Sequence, residues 1–144
     1  MGEAKVACDD RGRIVIPKEH AAAFEEADEV VLGPAPNGES LYLFPAAAWS
    51  RLVKRLRKAK AEGDREAAAF LRLYTSLYRR EKIQGAARRV GVTRELAGLA
   101  GLADSAVLVG RDDRLEVLSE AAWRQRTASI LAETRPMAEK SRWD

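Results

Sequence analysis

The sequence predicts an α+β fold made of two tandem copies of one small, β-rich unit, and three observations carry that prediction. Three blocks recur in the same order along the 144 residues. RIVIP at 13–17 returns as RVGVT at 89–93, ADEVVLG at 27–33 as ADSAVLVG at 103–110, and LYLFPAAAW at 41–49 as LEVLSEAAW at 115–123. Within the blocks apolar residues alternate, as in half-buried strands. Between them apolar residues fall at i, i+3, i+4 and i+7, as on one face of a helix.

The elements follow in order. Lys5–Cys8 forms a strand leading into Asp9-Asp10-Arg11-Gly12, a tight turn in which Gly12 can take positive φ. In the next strand Ile14 and Ile16 point to one face, Arg13 and Val15 to the other. Pro17 ends it, having no N–H for a ladder, and a short helix is expected over 18–26. Asn37-Gly38 between two apolar runs signals a hairpin. Pro45 suits the first turn of a helix carrying the stripe Trp49, Leu52, Val53 and Leu56. Gly63 stops this helix, and Asp64 caps another on which Ala67, Phe70, Leu71, Tyr74, Leu77 and Tyr78 share a face. In the second unit Ser119 caps a helix whose stripe is Trp123, Thr127, Ile130 and Leu131. The two tryptophans fit core anchors of equivalent helices.

A unit of four short strands buries too little apolar area to stand alone, so the two units are expected to close one shared barrel. The boundaries read as 1–62 for the first unit with its C-terminal helix, 63–79 for a linking amphipathic helix, 80–134 for the second unit, and 135–144 for a flexible tail. Phe70, Leu71, Tyr74, Leu77 and Tyr78 are candidates for packing between repeats or subunits, with ordinary core as the alternative.

Composition narrows the function. Residues 1–50 carry net charge −5, residues 51–94 carry +10 and residues 95–144 carry −2. The cationic middle third suits an anionic partner, although RLVKRLRKAK at 51–60 also reads as the solvated face of an amphipathic helix. No apolar run approaches the roughly 20 residues that span a bilayer, and no secretory signal is visible, so a cytoplasmic location is expected. With one histidine, His20, and one cysteine, Cys8, no histidine cluster or ordinary zinc site can form. Cys8 beside Asp9 reads as a strand residue, not as a nucleophile. Neither common phosphate-cradling glycine motif is present. No cofactor, small-molecule substrate or membrane partner is expected, and the chain does not read as an enzyme.

Asp9-Asp10-Arg11-Gly12-Arg13-Ile14-Val15-Ile16-Pro17 resembles the D-x-x-G-R signature of the SpoVT/AbrB DNA-binding fold. Two such units in tandem, the opening Gly2-Glu3, and Phe70-Leu71-Arg72-Leu73-Tyr74-Thr75-Ser76 between the units are similar to the MraZ family of transcriptional regulators. The second unit departs from the signature. Gly85 stands at the aspartate position, Arg88 at the glycine and Thr93 at the proline, and only Arg89 and the apolar pattern are kept. The resemblance implies a pseudo-twofold, interlocked-hairpin barrel flanked by helices. It also implies ring-like homo-oligomers on the nucleoid that bind short direct repeats in promoter DNA, commonly as a repressor of a division and cell-wall operon. A single-copy antitoxin-like regulator and a DNA-free oligomeric scaffold are the alternatives.

Arg13 is the leading candidate for DNA contact, because an arginine beside a tight turn can present its planar fork to guanine O6 and N7 or to a phosphate. Asp9 can orient it through a charge-assisted hydrogen bond, or the two can simply pair across the turn. Arg11 and Lys18 are expected on phosphates, with Arg88, Arg89 and Arg94 the matching set in the second unit. The acidic first unit should repel DNA unless Glu25, Glu26, Asp28 and Glu29 face elsewhere.

Overall fold

The computed structural model describes residues 3–9, 11–17, 24 and 28–143. The helix expected over 18–26 lies outside the described residues except for Phe24, as do Lys18, His20, Glu25 and Glu26. The strands are β1 (Glu3–Ala7), β2 (Arg13–Val15), β3 (Glu29–Pro34), β4 (Leu41–Pro45), β5 (Arg79–Lys82), β6 (Arg89–Gly91), β7 (Ser105–Gly110) and β8 (Leu115–Leu118). The helices are α1 (Ala46–Ala61), α2 (Arg65–Ser76), α3 (Arg94–Leu99) and α4 (Glu120–Thr134), followed by a 3₁₀ helix at Arg135–Lys140. The fold is α+β, as the repeats predict.

Six strands form one antiparallel sheet in the order β1-β7-β8-β4-β3-β5, and β2 pairs with β6 as a separate ribbon. Each unit lends its first strand to the other: β1 pairs with β7, and β5 with β3. The repeat symmetry is visible in the register. In the ribbon Ile14 faces Val90, with Arg13 opposite Gly91 and Val15 opposite Arg89. At the sheet centre Tyr42 faces its equivalent Glu116, flanked by Leu41–Val117 and Leu43–Leu115. Equivalent strands thus pair about their own midpoints, as a local twofold requires.

The expected closed barrel does not form among the described residues. β2 and β6 are three residues each, and Pro17 can add no further N–H to the ladder. The ribbon therefore lies over one face of an open sheet instead of sealing its edges.

Strand alternation divides the core in two. On one face Leu32, Leu41, Leu43, Leu108, Leu115 and Val117 pack against Ile14, Ile16, Val90 and Val92 of the ribbon, Phe24, and Leu96 of α3. On the other, Phe44 packs with Ala48 and Val53 of α1 and Leu71 and Tyr74 of α2. Phe44 lies 6.0 Å from the Tyr42 ring, 5.9 Å from Tyr74 and 6.0 Å from Tyr78, within the range of favourable aromatic pairs. The Arg114 guanidinium sits 4.6 Å from the Phe44 ring and 4.9 Å from that of Tyr42, so a cation from the second unit covers an aromatic cluster of the first.

Local capping follows the sequence. Asp64 accepts from Ala67 N at 3.0 Å, and Ser119 accepts from Ala122 N at 3.0 Å. Asn37 Oδ1 accepts from the backbone N–H of Glu39 at 2.8 Å, fixing the β3–β4 hairpin. The stripe expected on α4 is not a core face: α4 has no buried residue, and Ile130 and Leu131 are exposed. The helix tethers itself through Arg126 instead. Trp49 does anchor α1, packing on the aromatic cluster and donating from Nε1 to Tyr74 O at 3.2 Å.

Gly33 permits a close approach. A Cβ there would stand 2.4 Å from Tyr78 Cδ1, and the ring cannot drift because its hydroxyl donates to Pro34 O at 2.7 Å. Gly33→Ala should therefore destabilise the protein by about 1–3 kcal/mol, the usual cost of overpacking. Urea unfolding checks this, and a shift below about 0.5 kcal/mol would show that Tyr78 yields freely.

Candidate nucleic-acid interface

The turn between β1 and β2 is built around one carboxylate. Asp9 Oδ1 accepts from Arg11 N at 2.9 Å and Arg13 N at 2.8 Å, while Oδ2 accepts from Arg13 Nε at 2.8 Å. The backbone closes with Gly12 N on Asp9 O and Asp9 N on Arg13 O, both at 3.0 Å. The Arg13 backbone N–H holds the Asp9 carboxyl below the usual carboxylate range. Partial burial opposes that shift, and the Arg11 N–H and the Arg13 guanidinium reinforce it. Arg13 also donates from Nη1 to Gln84 Oε1 at 3.3 Å. Its side chain is 23% exposed, and Nη2 meets no hydrogen-bond partner among the described residues.

Gly12 is required here. Its φ is +73°, and a Cβ would stand 3.0 Å from Val92 O. Gly12→Ala should cost about 1–2 kcal/mol from the left-handed backbone alone, measured as a lower midpoint in thermal unfolding. An unchanged midpoint would mean that the turn relaxes to another conformation.

The second unit keeps this turn despite its eroded signature. Arg88 N donates to Gly85 O at 3.1 Å, matching the Gly12–Asp9 bond, and Arg88 takes the left-handed conformation with φ 54°. The ribbon is tied symmetrically, Val92 N to Gly12 O at 2.8 Å and Ile16 N to Arg88 O at 3.1 Å. The Arg88 side chain turns inward, where Nη2 donates to Phe24 O. With Gly85 in place of an aspartate, no carboxylate among the described residues orients Arg89, which is exposed on β6. Thr93, at the position of Pro17, caps α3 by accepting from Leu96 N at 3.2 Å, and Arg94 stands exposed in the first turn of that helix.

Asp9, Gly12, Arg13 and Gln84 are thus brought together at one end of the ribbon. Arg11 is exposed on the turn, and Lys18 lies outside the described residues. Of the proposed packing stripe, Leu71 and Tyr74 are buried, Phe70 and Tyr78 pack beside them, and Leu77 is 57% exposed. Cys8 stays a thiol, its pKa raised by burial and by the neighbouring Asp9 and Asp104 carboxylates. Glu29, one of the acids expected to repel DNA unless it faces elsewhere, pairs with Arg80 at 3.2 Å.

One charged centre is not apparent in the sequence. Glu116, fully buried in β8, accepts from Ser40 Oγ at 2.6 Å, from Arg126 Nη1 and Nη2 at 2.7 and 2.9 Å, and from Arg111 Nε at 3.3 Å. Burial alone would raise its pKa, but the Arg126 and Ser40 hydrogen bonds and the Arg126 and Arg111 charges prevail, and it lies below its ordinary value. A lone acid in the apolar run Leu115–Leu118 was the available signal.

Residues 1–73 match the family model described as "MraZ protein, putative antitoxin-like". A transcriptional regulator MraZ from Thermus thermophilus is 32% identical over 134 residues, covering 92% of this chain and 90% of that protein. The chain belongs to the MraZ family. Family members of the same name from Methylobacillus flagellatus and Dechloromonas aromatica are 28% and 32% identical over 133 and 126 residues. They cover 91% and 86% of the chain, and it spans 88% and 83% of their lengths. These MraZ relatives are named regulators of transcription. Among the described residues no group of acidic, histidine or cysteine side chains could hold a metal, and no helix is long and apolar enough to cross a membrane.

Proposed function

We propose that the chain is a sequence-specific, DNA-binding transcriptional regulator whose β1–β2 turn contacts operator DNA through Arg13. The observation that carries this reading is the Asp9 carboxylate, which fixes both the backbone and the guanidinium of Arg13. A side chain held in place before binding loses little freedom on binding, and a fork with free N–H groups matches a guanine edge or a phosphate. Arg11 and Lys18 would position the turn on phosphates. In the second unit Arg89 and Arg94 supply weaker, phosphate-directed contacts, and Arg88 serves chiefly to hold its own turn.

In this reading the chain represses its own division and cell-wall operon, binding short promoter repeats as a ring-like homo-oligomer in the nucleoid. The working division is 1–62 and 80–134 for the two repeats, 63–79 for the linking helix and 135–144 for a tail. Leu131, Met137 and Trp143, exposed near the C-terminus, offer apolar area for self-association. Linked modules on matched repeats would raise weak single contacts to useful avidity.

Footprinting of the DNA upstream of the chain's own gene tests this, together with light scattering of the protein alone. Protection of regularly spaced short segments by a defined oligomer is the expected result. A monomer that protects no segment at moderate salt contradicts both the operator and the ring.

A further inference from the structure

The cationic stretch at 51–60 is not absorbed by the reading turn. α1 buries Trp49, Leu52, Val53 and Leu56 on one side. Arg51, Lys54, Arg55 and Lys58, at i, i+3, i+4 and i+7, occupy the opposite side, all exposed. None of the four makes an ion pair with a described residue, although the described residues make eight other ion pairs. Like charges at these spacings repel and weaken a helix. The four line an open groove of about 510 Å³ together with Asp113, and that carboxylate is already held by Arg114 at 2.7 Å. The groove therefore carries a net positive charge that folding does not use.

We infer that this face of α1 is a second, sequence-independent DNA surface that tracks the phosphate backbone. The inference rests on the DNA-binding reading above. Arg51 to Lys58 spans about 10 Å at 1.5 Å per residue, the length of duplex axis over which each strand carries about three phosphates at about 3.4 Å of rise each. A stripe of cations without fixed hydrogen-bond partners suits phosphates, which need charge but no donor pattern. The placement separates the two surfaces, because the β2–β6 ribbon packs on one face of the sheet and α1 on the other. A copy seated on an operator by its turn thus presents α1 to flanking or neighbouring DNA.

The test is a variant carrying Arg51→Gln, Lys54→Gln, Arg55→Gln and Lys58→Gln. Its charge-matched control carries Arg65→Gln, Arg72→Gln, Arg135→Gln and Lys140→Gln. Both are titrated against an upstream duplex and a scrambled duplex across a salt series. The α1 variant should lose about tenfold in affinity for both duplexes near 0.1 M salt. Its salt slope should flatten by about 2–3, at about 0.9 per phosphate contact. The ratio of upstream to scrambled affinity should stay at the wild-type value, and the control should change much less. Melting curves should match wild type, since glutamine is a good helix former.

An unchanged slope and affinity in the α1 variant, with wild-type preference for the upstream duplex intact, overturns the α1 surface and leaves the reading turn standing. Equal losses in the variant and the control also overturn it, by showing that only net charge matters. Absence of wild-type binding to either duplex overturns both. Titration with a polyglutamate peptide closes the remaining route: loss of peptide binding without loss of DNA binding would assign the groove to an acidic protein and contradict the inference.

Discussion

Glu116→Ala should lower the unfolding free energy by about 3 kcal/mol, the cost of breaking a buried ion pair. Removing the carboxylate strips Ser40 Oγ, Arg126 and Arg111 of their shared acceptor. Ser40 and Glu116 are both buried, while Arg126 and Arg111 reach partial solvent and recover some hydration, which keeps the figure at the low end of such losses. Glu116→Gln retains an oxygen acceptor and should lose about 1 kcal/mol. Denaturant unfolding measures both, and equal effects of the two substitutions would show that the charge, which both remove, makes the site and the retained oxygen acceptor does not. The centre also joins elements distant in the chain, from the β3–β4 hairpin to β8 and α4. Because the folded pKa of Glu116 lies below its unfolded value, its stabilising effect is complete above the usual carboxylate range. It is lost as pH falls through the folded value.

Asp9→Ala should abolish most operator preference while leaving the core intact. The carboxylate is not a DNA ligand in this account; it positions Arg13, and without it the turn loses its acceptor for two backbone N–H groups and for Arg13 Nε. A reader that must be ordered on binding forfeits the advantage of being fixed beforehand, and the expected loss is on the order of tenfold or more, comparable with one good base contact. Asp9→Asn keeps an oxygen for the turn but no charge for the guanidinium, so its affinity should fall between the two. The lowered pKa of Asp9 gives the matching pH dependence. Binding is sustained through neutral pH and weakens only as pH falls below the ordinary carboxylate range, through the folded value. Anisotropy of the upstream duplex reads each case. Wild-type affinity in Asp9→Ala would show that Arg13 needs no orienting partner.

The fold was legible where physics is local. Asn37, Asp64 and Ser119 each declare a hairpin or helix start because their side chains answer backbone N–H groups two or three residues away. The repeats announced the twofold, and Ile14 and Ile16 were placed on the buried face by alternation alone. Long-range pairing was not legible: nothing local to Glu3–Ala7 says that it joins β7 of the other unit, or that three-residue β2 and β6 leave the sheet open. Arg88 concealed the second turn, because a non-glycine residue at positive φ disguises the signature while the hydrogen bonds persist. The α4 stripe misled, since helical spacing of Ile130 and Leu131 does not reveal whether any partner face lies opposite. At the site, Asp9 and Arg13 were legible as a pair, but Gln84, 71 residues from Arg13, was not.

The decisive experiment on Arg13 titrates wild type and Arg13→Ala against an upstream duplex and its scrambled counterpart at one salt concentration. Wild type should prefer the upstream duplex, and Arg13→Ala should lower that preference by roughly 10–100-fold, the worth of about 1–3 kcal/mol in one bidentate base contact. Affinity for the scrambled duplex should fall far less. If Arg13→Ala weakens both duplexes equally and keeps the preference, Arg13 contacts only phosphate, and sequence is read elsewhere on the molecule.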